Sequence, residues 1–213
     1  MQIRPNGLIL FSQSISAMTK AERTKQFIIE QAAPLFNEKG IAGTSIDDVL
    51  KATNLAKGCL YSHFENKEAL SHAAVDYLMQ KMCNRTSILV AEASTAKEKL
   101  YAVMDSYKTP LTPIVSGGCP VLNFGVESDD TCPVIRQKIK TAVNKSVQLI
   151  TGIINQGKTS KEFSKDCDAD EFALKMFTLL EGGVLVCRVA NSNAQMKTLI
   201  GSLKNEIESF SLK

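Results

Sequence analysis

The stretch "KGCLYSHFENKEAL", residues 57–70, decides the fold. Its apolar positions suit a short helix that stops and restarts, and Asn66 offers a side-chain cap for the restart at Lys67. Between them stand Lys57, Tyr61, His63 and Lys67, in a chain with only two histidines and four tyrosines. Immediately upstream, Thr44 and Ser45 precede Ile46, Val49 and Leu50, with Asp47 and Asp48 in the first turn. Acidic groups are favoured there because a helix N-terminus carries a partial positive charge. A capped helix is therefore expected, broken at Thr53 and Asn54 and followed by a second over about 56–62. Two short helices joined by a turn of about 3–4 residues form a helix-turn-helix, here about 44–63.

Upstream, Phe27, Ile28, Ala32, Leu35 and Phe36 recur at helical spacing over 20–39, and Gly40 is a stop signal. Pro34 inside that helix is expected to kink it, since it lacks an N–H and its ring crowds the carbonyl of Glu30. Downstream, Leu70, Ala73, Ala74, Tyr77 and Leu78 carry a fourth helix toward Val90. Further helices are expected over 97–115, 120–127, 133–156, 168–191 and 194–212, with Pro110, Pro113, Gly117, Gly118 and Pro120 marking one irregular turn. Strand-like alternation is almost absent, so the fold class is all-α.

Arg23, Ile28, Ala32, Leu35, Phe36, Gly40, Thr44, Lys57, Gly58, Tyr61, His63, Phe64, Lys67 and Leu70 together resemble the DNA-binding domain of TetR-family transcriptional regulators. The resemblance covers about residues 21–81. It implies an N-terminal three-helix helix-turn-helix domain joined to a C-terminal helical ligand-binding and dimerisation domain. The expected layout is a loose arm at 1–19, the DNA-binding domain at 20–81 and the C-terminal domain at 82–213. It further implies a cytoplasmic homodimeric repressor that leaves its double-stranded operator DNA when a small molecule binds.

The chemistry of the residues points the same way. A recognition helix enters the major groove by its N-terminal end, where Lys57 stands beside Gly58, whose missing Cβ lets the backbone approach DNA. Thr44 and Ser45 carry hydroxyls suited to a phosphate, or to capping the helix they precede. Tyr61 and His63, with Ser62 between them, can donate to phosphate oxygens. A lysine at position 67 opposes the positive end of its own helix, a local conflict that suggests a phosphate contact. Cys59 shares this helix and is a candidate for oxidation, because a sulfinate there would repel phosphate.

A net charge of +3 on 213 residues does not steer the whole molecule to nucleic acid, so any DNA contact must be a local patch. Over 20–67 the seven Lys and Arg face six acidic residues, so the charges must segregate if this head is to bind a phosphate backbone. The six cysteines form no C-x-x-C pair and have no histidine at ligand spacing, which argues for reduced thiols and against structural zinc. No cofactor is expected, no apolar run is long enough to span a membrane, and residues 1–17 only faintly imitate a secretory signal.

In the C-terminal half, "MFTLLEGGVLVCRVA" (176–190) is apolar nearly all round, with Gly182 and Gly183 open to a close neighbour. Its resemblance to the family's dimerising helix pair adds Leu199, Leu203, Ile207 and Phe210 on the last helix to a four-helix interface. "GGCPVLNFGVESDD" (117–130) resembles a family branch in which a Gly-Cys opens a short helix near the ligand cavity. Cys119 at that helix N-terminus is placed to have a lowered thiol pKa suited to an electrophile or oxidant, although a packed, inert cysteine is the favoured reading. Met104, Tyr107, Phe124, Met176 and Phe177 are the other candidates for a cavity taking a small-molecule inducer. Two rival readings stand beside a regulator: a thiol redox enzyme using Cys119, and a ligand-binding helical dimer without DNA binding. Paired carboxylates, a phosphate loop and a Ser/His/Asp constellation are all missing, so no enzyme is expected.

Overall fold

The computed structural model describes residues 18–212; the expected loose arm therefore lies outside the described residues except for Met18 and Thr19. Thr19 starts the first helix. Its hydroxyl accepts from the Glu22 amide while the Glu22 carboxylate accepts from the Thr19 N–H, a reciprocal cap on α1, Lys20–Gly43. The kink expected at Pro34 falls at Gly40 instead, the one residue inside α1 with non-helical dihedrals (φ 77°, ψ 164°). Proline's fixed φ is already helical, whereas a left-handed φ is cheap only for glycine.

The next helices follow the sequence cues. Ser45 and Asp48 form a second reciprocal cap on α2, Ile46–Thr53, which ends in Asn54 with a left-handed φ of 53°. Ala56 precedes α3, Lys57–Tyr61, and the Asn66 side chain accepts from the Ala69 amide to start α4, Lys67–Glu92. α4 runs without a break through position 81, where the sequence suggests the two domains meet.

Beyond it lie α5 (Ala96–Asp105), α6 (Pro120–Ser128), α7 (Pro133–Thr159), α8 (Ala169–Ala190) and α9 (Ala194–Phe210). The helix expected over 97–115 stops at Asp105. Pro110 and Pro113 lack amide donors, and Gly117 and Gly118 adopt φ of 95° and 101°. Gly117 also sits against α1: an added Cβ would lie 2.7 Å from the Asn37 carbonyl oxygen. Among the described residues there is no strand, only a bridge pair between Phe163 and Ser211. No described helix is long and apolar enough to cross a membrane.

Apolar side chains collect into two cores. One, built from α5, α7, α8 and α9, holds Leu100, Met104, Ile154, Met176, Leu180 and Leu203. The other holds Ile28, Phe36, Val49, Leu60, Leu70 and Leu78 from α1 to α4, together with Val115, Phe124, Ile135 and Ile139 from beyond α5. α1 and α4, which flank the helix-turn-helix, both pack on α6, and α4 also on α7, so a shift of α6 is felt by the head.

Candidate nucleic-acid interface and ligand cavity

α3 has only five residues, too few to hold itself together by backbone hydrogen bonds. Leu60, fully buried, ties it to the head core. With that side anchored, Lys57, Gly58, Tyr61 and Ser62 face outward, while Cys59 and His63 are half-buried. The Lys57 ammonium stands 6.0 Å from the centre of the Tyr61 ring, a cation–π approach that brings cation and phenol to the same edge. A Cβ added at Gly58 would meet nothing within 4 Å among the described residues, so none of their contacts demands glycine there.

Three expected phosphate contacts have other partners. The Thr44 hydroxyl is turned inward, with Thr44 itself 1% exposed, and donates to the carbonyls of Gly40 at 2.7 Å and Leu35 at 3.2 Å. That corrects its assignment as a phosphate donor, since its proton is already committed. The exposed Ser45 hydroxyl donates to the Asp48 carboxylate at 2.7 Å and accepts from the Asp48 amide. The Lys39 ammonium, 2.9 Å from Asp48, and Ser45 hold the Asp48 carboxyl far below its ordinary pKa.

Lys67 resolves its conflict with the α4 dipole by reaching elsewhere. Its ammonium donates to the carbonyls of Ile41 at 2.8 Å and Thr44 at 3.0 Å, capping the end of α1. The misfit between lysine and helix N-terminus is therefore explained within the chain. The same segment is gripped from α6, where the Glu127 carboxylate accepts from the amides of Ile41 and Ala42, both at 2.9 Å. A second bridge lies alongside. Asn37 on α1 donates to the carbonyls of Ser116 at 2.6 Å and Gly118 at 3.2 Å, and Asn123 on α6 donates back to the Asn37 carbonyl at 2.9 Å.

Gly118 borders a cavity of about 750 Å³ between α4, α7, α8 and the irregular segment after α5. The size is that of a small-molecule site, roughly 300–1,000 Å³. Of the expected lining residues, Tyr107 and Cys119 are on its wall. Met104, Phe124, Met176 and Phe177 are not: the first three are fully buried, the last 8% exposed, and all four pack in the cores. Aromatic and methionine residues at helical spacing mark core more often than cavity. The walls are instead Met79, Met82, Ile114, Val121, Leu149 and Val184.

Glu181 was missed by the sequence reading, and it is the most unusual group in the cavity. It is 5% exposed, its Oε1 accepts from the Tyr107 hydroxyl at 3.0 Å, and its Oε2 has no hydrogen-bond partner among the described residues. Burial raises its pKa against the opposing pull of Cys119 and Tyr107. A signal was available: Glu181 is the lone acid in the all-round apolar run 176–190. Cys119 is a packed thiol, 7% exposed, as the favoured reading has it. Burial first, then the Glu181 charge, push its pKa well above the ordinary value, beyond what the amides of Leu122 and Val121 can offset. A thiol kept protonated is a poor nucleophile.

Comparison with known proteins agrees with this geometry. Residues 28–74 match the family described as "Bacterial regulatory proteins, tetR family", and residues 96–203 match "Tetracyclin repressor-like, C-terminal domain". The chain belongs to the TetR family. These are DNA-binding transcription regulators rather than enzymes, and the thiol redox enzyme is set aside. Among solved structures, a TetR-family transcriptional regulator from Cytophaga hutchinsonii is 39% identical, with a TM-score of 0.85 over 92% of this chain and 98% of that one. A TetR regulator from Chloroflexus aurantiacus is 33% identical, with a TM-score of 0.87 over 91% and 98%. The HTH-type transcriptional repressor DhaR of a Mycobacterium species is 23% identical over 166 residues, 78% of this chain and 82% of that protein. A local match, 44% identical over 52 residues, links 24% of the chain to 28% of IcaR, the negative regulator of the biofilm operon icaADBC in Staphylococcus epidermidis.

This TetR-family chain leaves one side of α8 uncovered. Leu174, Leu185, Val186 and Val189 are all at least half exposed, Val189 by 80%. Gly182 lies among them, and a Cβ there would meet nothing within 4 Å. Most of the residues expected at a subunit interface face the other way. Leu203 and Ile207 are buried inside the chain, and a Cβ at Gly183 would lie 2.8 Å from Leu199 and 2.9 Å from Met196. Phe210 stacks edge-on against Phe163 and Phe172, with ring centres 5.1 and 5.2 Å away. Period alone does not say which face of a helix apolar all round serves its own chain.

Proposed function

We propose that the protein is a homodimeric repressor that works in the cytoplasm and grips its operator with the exposed edge of α3. One observation carries this reading: Lys57, Gly58, Tyr61 and Ser62 stand outward from the buried Leu60 with no intrachain task that fixes Gly58. Lys57 and Gly58 enter the groove, Tyr61 and His63 meet phosphates, and the remaining proton of the Lys67 ammonium is left for a phosphate beside the segment it caps. DNA binding occupies about residues 20–81, and the rest of the chain senses and dimerises. Repression is supported by the names of DhaR and IcaR, a repressor and a negative regulator.

The second copy covers α8. Its exposed Leu174, Leu185, Val186 and Val189 share one side of the helix, of the kind a soluble chain hides, and two heads then reach half-sites about 10 bp or more apart. Release follows from the cavity. Its wall includes Gly118, whose carbonyl accepts from Asn37, and the neighbouring α6 carries Glu127 and Asn123, so a ligand that shifts this wall disturbs the caps holding 40–44 under the helix-turn-helix. The inducer is a small molecule; electrophile attack at Cys119 is not part of the reading, because that thiol is held protonated.

A gel shift with the DNA upstream of the protein's own gene, at two salt concentrations, tests the reading. Each neutralised phosphate contributes a slope of about −0.9 in log affinity against log salt, so affinity falls steeply. Salt-independent binding, or none, refutes it.

A further inference from the structure

The cavity's polar chemistry is unbalanced in two ways that together select a ligand. The first is Glu181 Oε2. Tyr107 satisfies only Oε1, the Cys119 thiol lies on the same carboxylate, and Oε2 has no donor among the described residues although Glu181 is 95% shielded from solvent and on the cavity wall. A buried acceptor without a donor is costly, and the cost is removed by whatever brings one. The second is charge. Arg85, Lys138 and Lys145 line the cavity against only two carboxylates, Asp76 and Glu181. Lys138 is 2.6 Å from Asp76 and already neutralised by it, which leaves the exposed Arg85 and Lys145 on the approach. A protonated amine entering by that route is repelled by both.

The donor that fits is neutral. We propose that the cavity takes an uncharged, largely apolar compound of drug-like size that places a hydroxyl on Glu181 Oε2, its carbon skeleton lying on Met79, Met82, Ile114, Val121, Leu149 and Val184. A hydroxyl suits the site in either state of the carboxyl, since it donates to the carboxylate and accepts from the acid. Glu181 is then the specificity residue of the sensor, and Tyr107 positions it. This inference rests on the cavity being the sensor site proposed above.

The test is equilibrium dialysis of the full chain with 4-phenylphenol, its methyl ether and 4-phenylbenzylamine, alongside Glu181→Gln. Glutamine keeps the shape and can still accept from Tyr107, but it puts an NH₂ where the free oxygen was. Wild type is expected to bind the phenol about ten-fold tighter than the ether, about 1.4 kcal/mol, with the amine weakest. In Glu181→Gln the ratio falls to near one, because the amide NH₂ donates to the oxygen of either compound. Should that variant not fold, Tyr107→Phe replaces it; freeing a second carboxylate oxygen, it keeps the phenol preference at or above the wild-type ratio. Equal binding of phenol and ether, tightest binding of the amine, or a preference that survives Glu181→Gln or is lost in Tyr107→Phe overturns the proposal. If phenol and ether bind alike and both release DNA, the sensor reading stands and only the anchor fails. If none of the three binds, both fail.

Discussion

Replacing Lys67 by methionine keeps the aliphatic stem and removes the ammonium that donates to Ile41 and Thr44 at 2.8 and 3.0 Å. Hydrogen bonds from a charged donor contribute about 1.5–3 kcal/mol each. Lys67 is half-exposed, so water replaces part of that loss; taking half for the pair gives about 2 kcal/mol. For a chain of this size a loss of about 2 kcal/mol lowers the melting temperature by about 4–8 °C. Far-ultraviolet circular dichroism of the mainly helical chain reads that shift directly. A melting temperature within about 1 °C of wild type would refute the capping role and return Lys67 to a purely external task. Salt titration of DNA binding then isolates the phosphate share: losing one contact per subunit lowers the slope by about 1 for each.

Other perturbations separate the remaining contacts. Glu127→Gln leaves one acceptor where the carboxylate served the amides of Ile41 and Ala42, so a loss of about 1 kcal/mol is expected by denaturant titration, with weaker DNA binding. Gly183→Ala drives a Cβ to 2.8 Å from the end of Leu199, which must shift, a cost that alanine's helix preference of about 1 kcal/mol offsets, so monomer melting should change little; Gly182→Ala, with open space around it, should leave the fold intact and change only the self-association measured by sedimentation. Asp48, Glu22 and Glu98 all have folded pKa values below their ordinary ones, Asp48 through Lys39 and the other two through the amides they cap. Below about pH 5 the unfolded chain therefore binds more protons than the folded one, and stability falls with pH, although the raised pKa of Glu181 works in the opposite direction. Melting at pH 7 and pH 4 checks this, and Asp48→Asn should flatten part of the difference.

The head was legible because its cues are local. Ser45 with Asp48, Asn66, and the spacing of Leu60, Phe64 and Leu70 each dictate structure within a few residues, and the helices start where those caps stand. What failed depended on distant partners. Lys67 reads as misplaced until the α1 carbonyls are brought to it from position 41, and Thr44 reads as a surface donor until Leu35 and Gly40 take its proton. Cys119 at a helix N-terminus left two readings open, and what decides for the packed one is burial beside Glu181, more than sixty positions away. Gly40 was legible as a stop, but not the Glu127 carboxylate, more than eighty positions away, that caps the amides just beyond it. Within the cavity, large apolar residues misled and the single acid in an apolar helix was the clue.

The role of α3 is tested most directly by Gly58→Leu. Among the described residues nothing lies within 4 Å of a Cβ at this position and glycine is a poor helix former, so melting should be unchanged or slightly higher. Against DNA the added side chain fills the space between backbone and base edges. A gel shift on the upstream DNA is expected to show affinity falling by at least about ten-fold, roughly 1.4 kcal/mol, with a normal melting curve. Wild-type affinity in a folded Gly58→Leu protein would contradict the placement of α3 in the groove.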